Sequence, residues 1–238
     1  MSSPSLWMEQ PYAGDPAILQ QLLDSPRPWT TRIWEQEELC VVLGKGCKID
    51  SDLKIDSINE QKIPVYRREG GGGTVVLSPG MVIVAFACHV RDPFGSKRFF
   101  RLIQQPMQEH LDELGLPGVD QLGLSDLALK GRKILGSSMR RKGSLLLYQA
   151  VMMVDCDRRL FEALLKHPPR EPDYREGRGH DDFTITLAEA GLTCTASEFA
   201  ASLTEVMDRR LPELLGEDLL TAEEWEIRKE KERQKLLK

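Results

Sequence analysis

The chain has 238 residues, 41% hydrophobic and 29% charged, the balance of a soluble globular protein able to bury one large core. Its net charge of −5 excludes a general nucleic-acid binder, which needs a basic face over most of a domain. No apolar run approaches the ~20 residues that cross a bilayer, which excludes a helical membrane protein.

The N-terminal MSSPSLWMEQ lacks the basic and apolar regions of a signal peptide. Leucines at helical spacing then predict a short helix over 15–23. Alternation from Thr31 and the apolar run 39–43 read as two strands, the second ended by Gly44 and Gly46. A helix is expected over 51–61 and a short extended segment over 64–66. MVIVAFACHV, residues 81–90, is a strand buried on both faces, and 96–114 is a long amphipathic helix. Three strands follow, around 121–130, 133–140 and 143–154, with KGRK as a hairpin turn between the first two. A helix over 157–166 would be capped by Asp157, and HPPREPDYREGRGH is irregular. Helices close the chain at 196–214 and 221–237, the last a solvated one in which Glu224 can pair with Arg228. Strands outnumber simple β-α-β alternation, so the fold class is α+β, a mixed or antiparallel central sheet flanked by helices.

Two stretches stand out chemically. The run Arg67, Arg68, Glu69, Gly70, Gly71, Gly72, Gly73, Thr74 lies between extended segments. Without Cβ atoms, its backbone N–H groups can approach a ligand and form an anion nest, and two guanidinium groups beside it suit carboxylate or phosphate. No GK[ST] ending makes it a Walker loop, and a linker would lack the flanking strands. Further on, Lys130, Arg132, Lys133, Arg140, Arg141 and Lys142 form a cationic strip with no acidic residue among them. Such a strip suits an anionic small molecule or acidic partner, or is a solvated strand face. The five cysteines, Cys40, Cys47, Cys88, Cys156 and Cys194, show no CxxC and no zinc-like pairing with the four histidines. That is a reduced pattern, and a cytoplasmic location is expected.

Taken in order and spacing, RREGGGGTVVLSPG and SDLALKGRKILGSSMRRKG resemble the lipoate–protein ligase and octanoyltransferase family, part of the biotin/lipoate ligase superfamily. The resemblance covers about residues 31–155. It implies a class II aminoacyl-tRNA synthetase-like catalytic fold, here a single domain over 1–238 with a core of about 28–192 and a helical C-terminal extension of about 196–238. Lys133 matches the catalytic lysine of the family's GRK motif. Arg67, Arg68, Gly70, Gly71, Gly72, Gly73 and Thr74 would line the acyl chain and its carboxylate or the phosphates. Gly136, Ser137 and Ser138 match a segment against the same ligand, and Asp126 matches an aspartate expected to contact magnesium or ATP.

The activity so implied is ATP-dependent formation of lipoyl-AMP and transfer of the lipoyl group to a carrier lysine. ATP and magnesium are then co-substrates, with no tightly bound cofactor. Lipoate or octanoate, a lipoyl-domain or H-protein-type carrier and, in some arrangements, an accessory subunit are the implied partners. Nucleic acid and membrane are not among them. The alternatives are ATP-independent octanoyl or lipoyl transfer between carriers, and a non-catalytic acyl-carrier binding module.

The sequence departs from the family pattern at three places. Ser125 stands where asparagine is usual, and Tyr148 and Gln149 where a His-Gly pair often falls. Transferases need a cysteine nucleophile, yet none lies between Cys88 and Lys133, and Met152 and Met153 fill the late-strand positions. Cys156 follows, flanked by Asp155 and Asp157, whose charges would raise its pKa and make it a weak nucleophile. In the segment from Tyr174 to Phe183, Arg178 and His180 either touch phosphate or carrier, or pin a long loop through carbonyls.

Overall fold

The structure, a computed structural model, describes residues 9–92 and 94–236; most of the N-terminal stretch read as lacking a signal peptide, 1–8, and the last predicted helical residue, 237, lie outside the described residues. Strands are β1 (Gln10–Pro11), β2 (Trp29–Glu35), β3 (Cys40–Leu43), β4 (Val65–Arg67), β5 (Val75–Leu77), β6 (Met81–His89), β7 (Val119–Leu122), β8 (Asp126–Leu129), β9 (Arg132–Lys142) and β10 (Leu145–Met153). Helices are α1 (Gly14–Asp24), α2 (Ile49–Asp52), α3 (Ile55–Gln61), α4 (Ser96–Glu113), α5 (Arg159–Leu164), α6 (His180–Phe183), α7 (Ala196–Leu215) and α8 (Ala222–Leu236).

The expected α+β architecture is the one observed. An antiparallel six-stranded sheet runs β2-β6-β10-β9-β8-β7. A smaller four-stranded sheet runs β1-β4-β3-β5, with β4 parallel to both its neighbours. Strand β6 organises both layers, because every one of its residues is buried. On one face Val82, Val84, Phe86 and Cys88 pack with α4 (Phe99, Ile103, Met107, Leu111) and α7 (Phe199, Leu203, Met207, Leu211). Each such side chain contributes about 1.5–3 kcal/mol on burial. On the other face Met81 and Ile83 meet the small sheet, while Ala85 and Ala87 leave room for Ile18 and Leu22 of α1. No helix among the described residues is long and apolar enough to cross a membrane.

Several local expectations are corrected by tertiary contacts. The helix expected over 51–61 is two helices, because Leu53 turns extended (φ −110°, ψ 145°), buries its side chain and bridges to Leu165. The strand expected over 121–130 is the hairpin β7–β8, turned at Gly123 with φ +59°. Asp157 accepts the Arg159 N–H (3.0 Å), but the helix it precedes spans only Arg159–Leu164. Helix α8 is not a solvated appendage: Trp225 is fully buried with Ile18, Leu22 and Leu23. Glu224 pairs with Arg91 (2.8 Å), and Arg228 with Glu232 (3.0 Å), in place of the expected Glu224–Arg228 pair.

Candidate active site

The glycine loop follows β4 and is arranged from inside by its own arginine. Arg68 is buried, and its guanidinium donates to Gly71 O (3.2 and 2.7 Å) and Gly73 O (2.8 Å). Lys45 N–H donates to Gly70 O (2.9 Å), and the Cys47 thiol donates to Gly72 O (3.4 Å). With carbonyls gathered on one side, the Gly71, Gly72 and Gly73 amides have no acceptor among the described residues. That is the polarity an anion nest needs. Arg67 pins the layer beneath, binding Glu9 (2.6 Å), Gly44 O (3.0 Å) and Cys47 O (2.9 Å). Both arginines, expected to face an anion, therefore bind mainly the loop and its supports. Thr74 is likewise tied back, donating to Asp52 (2.5 Å).

The lysine is aimed by a bulge. Leu127 pairs with Leu135, but Ala128 pairs with Lys133, so Ile134 is an extra residue in β9. Ile134 and Leu135 are both fully buried, and the side-chain alternation inverts between Lys133 and Gly136. Lys133 thereby lies across the same face as Gly136, where a Cβ would sit 2.9 Å from its Cε and Nζ. Its ammonium pairs with Asp126 Oδ1 (2.9 Å), and Asp126 Oδ2 accepts the Tyr174 hydroxyl (2.9 Å). Burial, with the Asp126 charge beside it, pushes the Tyr174 hydroxyl above the usual phenol range, so it remains a donor.

Two residues beyond Gly136, roughly 7 Å along the strand, Ser138 lies under the glycine loop. A Cβ on Gly70 would be 3.7 Å from its Oγ, and one on Gly72 would be 3.6 Å from its Cβ. The two motifs, far apart in sequence, thus meet on one sheet face. Ser137 does not share that face: it donates to Ser125 O (2.7 Å) and meets Gln104 (3.3 Å) on the α4 side. The cationic strip is also divided, with Lys130, Arg132 and Lys133 at one end of β9 and Arg140, Arg141 and Lys142 at the other.

The family departures fall on opposite faces. Tyr148 is fully buried toward α4, its hydroxyl 3.3 Å from Gln104 Nε2, which also donates to Ser125 O (2.7 Å). Gln149 pairs with Ser138 across β9–β10. Sequence reading passed over Gln104, whose signal was a glutamine amid the apolar stripe of α4.

The irregular segment is a brace beside Lys133. Thr184 bridges Lys133, and Ile185 N–H donates to Lys133 O (3.0 Å). Arg178 donates to Tyr174 O (2.6 Å), Arg175 O (3.0 Å) and Gly131 O (3.1 Å). His180 is 9% exposed, its amide donating to Glu162 (3.0 Å), and burial together with Arg175 holds its imidazole below the ordinary range. Of the two roles open to these residues, the observed bonds are those of loop pinning.

Arg158 completes the brace through Asp181 O (2.8 Å) and Glu189 (2.6 Å). The hydrogen bond from Arg158 holds the Glu189 carboxyl down to about 2. A folded pKa below the unfolded ~4.3 gives stability that is present above that value and lost as pH falls toward 2. Glu189→Gln is therefore expected to show a shallower fall in Tm between about pH 5 and pH 2 than the parent chain. An equally steep fall would remove Glu189 from the acid transition.

Among the described residues no group of three His, Cys, Asp or Glu side chains can hold a metal ion. Asp126, expected to contact magnesium or ATP, binds the Lys133 ammonium and the Tyr174 hydroxyl. The described residues do not make a protein-held cation site. Cys156 is 8% exposed, and its thiol is pushed up to about 12, chiefly by burial. Burial is thus the main cause, the nearby charges of Glu189 and then Asp155 add to it, and Asp157 is engaged with Arg159.

Residues 9–208 match the family described as the lipoyl protein ligase A/B catalytic domain. The chain is 30% identical over 126 residues to a lipoate–protein ligase of Streptococcus pyogenes serotype M5 (strain Manfredo), covering 53% of this chain but 36% of that protein. It is 22% identical over 235 residues to octanoyltransferase LipM of Geobacillus kaustophilus, covering 88% and 84%. The match thus spans about a third of the streptococcal ligase and most of the transferase. Among solved structures, lipoate–protein ligase A bound with ATP superposes with a TM-score of 0.66 at 18% identity, over 97% of this chain and 94% of that one. The bipartite lipoate protein ligase of Thermoplasma acidophilum gives 0.67 at 18% identity, over 94% and 89%. At such identities the likeness establishes the fold.

Proposed function

The chain belongs to the lipoyl protein ligase A/B catalytic-domain family, and from that premise we propose that it is a lipoate–protein ligase acting through Lys133. A lipoate carboxylate oxygen attacks the α-phosphate of ATP, the new oxygen–phosphorus bond replaces the bond to pyrophosphate, and lipoyl-AMP results. A carrier lysine amine then attacks the acyl carbon, AMP leaves, and an amide remains. Negative charge gathers at the carboxyl–phosphate junction, and a fixed ammonium there stabilises it. The observation that supports this most directly is Lys133, held at 2.9 Å by Asp126 across Gly136, on the face that runs under the glycine loop.

Asp126 fixes the ammonium's position, Tyr174 fixes Asp126, and the loop amides face the acid or phosphate oxygens. Arg68 keeps those amides turned outward by holding the carbonyls. We place the catalytic core at about 28–192 with the helical extension from 196, whose first helix, α7, is built into the main core. The carrier would be a lipoyl-domain type protein, as the Thermoplasma ligase is paired with its E2 lipoyl domain. A partner subunit that assists activation is compatible with the same site.

One observation favours thioester transfer as the second reading: Cys47, half-buried, places its thiol 3.4 Å from Gly72 O on the glycine loop. ATP–pyrophosphate exchange separates the two. Exchange is expected with lipoate, and Cys47→Ser is expected to retain it. No exchange with lipoate, octanoate or biotin, together with an acyl adduct on Cys47 after incubation with octanoyl-carrier, would replace the ligase by a transferase. Carrier binding with no turnover under either condition would leave a binding module.

A further inference from the structure

Helix α8 lies beyond residues 9–208, the part of the chain that matches the family, yet it is tied closely to the element that supports the glycine loop. Its start is anchored by a reciprocal cap: Glu224 N–H donates to Thr221 Oγ1 (3.2 Å), and Thr221 N–H to Glu224 (2.7 Å). Along its buried face, Trp225 Nε1 donates to Ser25 O (3.1 Å), Lys229 Nζ to Ser25 O (3.4 Å) and Arg233 to Leu23 O (3.1 Å). All three donors meet the C-terminal end of α1, where unpaired carbonyls and the helix dipole favour cations.

At the other end of α1, about 16 Å away for its eleven residues, stands Asp15. It is 3% exposed, and its Oδ2 accepts the backbone N–H of Glu69 (3.1 Å), the residue immediately before Gly70. Its Oδ1 is buried with no partner among the described residues. A carboxylate is unfavourable in such a place unless its one bond matters, because alanine would pack there without the desolvation penalty. Glu69 is further held from the opposite side, its carboxylate 3.1 Å from Arg140 of β9. The segment before the glycine run is thus fixed between α1 and the main sheet.

We propose that α8 is a clasp on the C-terminal end of α1 which, through Asp15 at the other end, sets the position of the glycine loop, so that Asp15 is a positioning residue for binding of the acid. The chain of contacts is continuous: a buried indole and two cations hold the helix end, an 11-residue helix spans the distance, and one hydrogen bond reaches Glu69. The inference rests on the glycine loop being the acid-binding element. Its test is read first in the loop itself, so it does not depend on that reading.

Hydrogen exchange is measured in the full chain at the hydrogen-bonded amides that hold the loop, Glu69 (to Asp15), Arg68 (to Leu43 O) and Lys45 (to Gly70 O), for Asp15→Ala, Asp15→Asn and the double variant Lys229→Met/Arg233→Met. Asp15→Ala and the double variant are expected to exchange at least about tenfold faster there, the equivalent of ~1.4 kcal/mol of lost protection. Asp15→Asn keeps an acceptor oxygen for the Glu69 N–H and is expected to behave as the parent. In activity, the two loosened variants should raise KM for lipoate about tenfold with kcat changed much less. Unchanged exchange in the double variant, or Asp15→Asn as impaired as Asp15→Ala, overturns the clasp. If Asp15→Ala does not fold, the double variant, whose substitutions lie on α8 away from the loop, decides the question. Loosened loop amides in a chain whose parent never turns over lipoate would leave the clasp standing and remove the ligase assignment.

Discussion

Replacing Lys133 by alanine is expected to reduce lipoate-dependent ATP–pyrophosphate exchange by about 10²–10³-fold, the usual loss when one preorganised charge-stabilising group is removed. The fold should be nearly unaffected. The Lys133–Asp126 pair is partly exposed, at 26% and 14%, and a pair of that kind contributes roughly 0–1 kcal/mol. Rate and Tm measured together therefore separate catalysis from folding. Lys133→Arg is not expected to rescue, because a planar guanidinium needs more room than an ammonium lying 2.9 Å from the Cβ position of Gly136. Asp126→Asn should lose less than Lys133→Ala, since it removes the group that holds the ammonium and leaves the ammonium itself. A Lys133→Ala protein with parental exchange would falsify the proposed role.

The second large effect is expected at Gly44, outside both motifs. A Cβ there would stand 2.1 Å from the carbonyl oxygen of Gly72. The backbone fixes the Cβ and its neighbour is a backbone carbonyl, so no side-chain rotation relieves the overlap, and the glycine loop must move. Gly44→Ala is expected to cost about 1–3 kcal/mol, as overpacking does, and to lower Tm by roughly 2–12 °C for a chain of this size. Because the displaced segment presents the Gly71, Gly72 and Gly73 amides, lipoate binding should weaken alongside stability. Calorimetry with a KM measurement checks both. A parental Tm and KM would show that the close approach of Gly44 to Gly72 is not needed.

These two residues mark how far local sequence carries. Gly44 reads as the end of an apolar strand, and it does end β3. Nothing local says that its missing Cβ is filled by a carbonyl twenty-eight positions later. Arg68 was legible as a cation beside glycines. Whether it faced a ligand or the loop carbonyls depended on burial against strand β3, reached by Arg68 Nη1 at Val42 O (3.4 Å). Likewise the Glu224–Arg228 spacing allowed a helical pair, but Arg91 and Glu232 took the two partners because α8 docks instead of standing in solvent.

The sequence by itself determined the α+β class, the doubly buried β6, the amphipathic α4 and, through the order of the two motifs, the family. Those features are written in periodicity and short-range spacing, which survive in any fold that buries them. Tertiary structure alone decided the direction of Lys133. Strict alternation would put Lys133 on the face of Leu135 and Ser137, away from Gly136 and Ser138. The bulge at Ile134 reverses that parity, and a bulge is a property of two paired strands, β8 and β9. The same holds for α8, whose Trp225 is buried only because α1 and β6 leave a place for it. A side chain's aim and a helix's docking depend on neighbours distant in sequence, and only the folded chain brings those neighbours together.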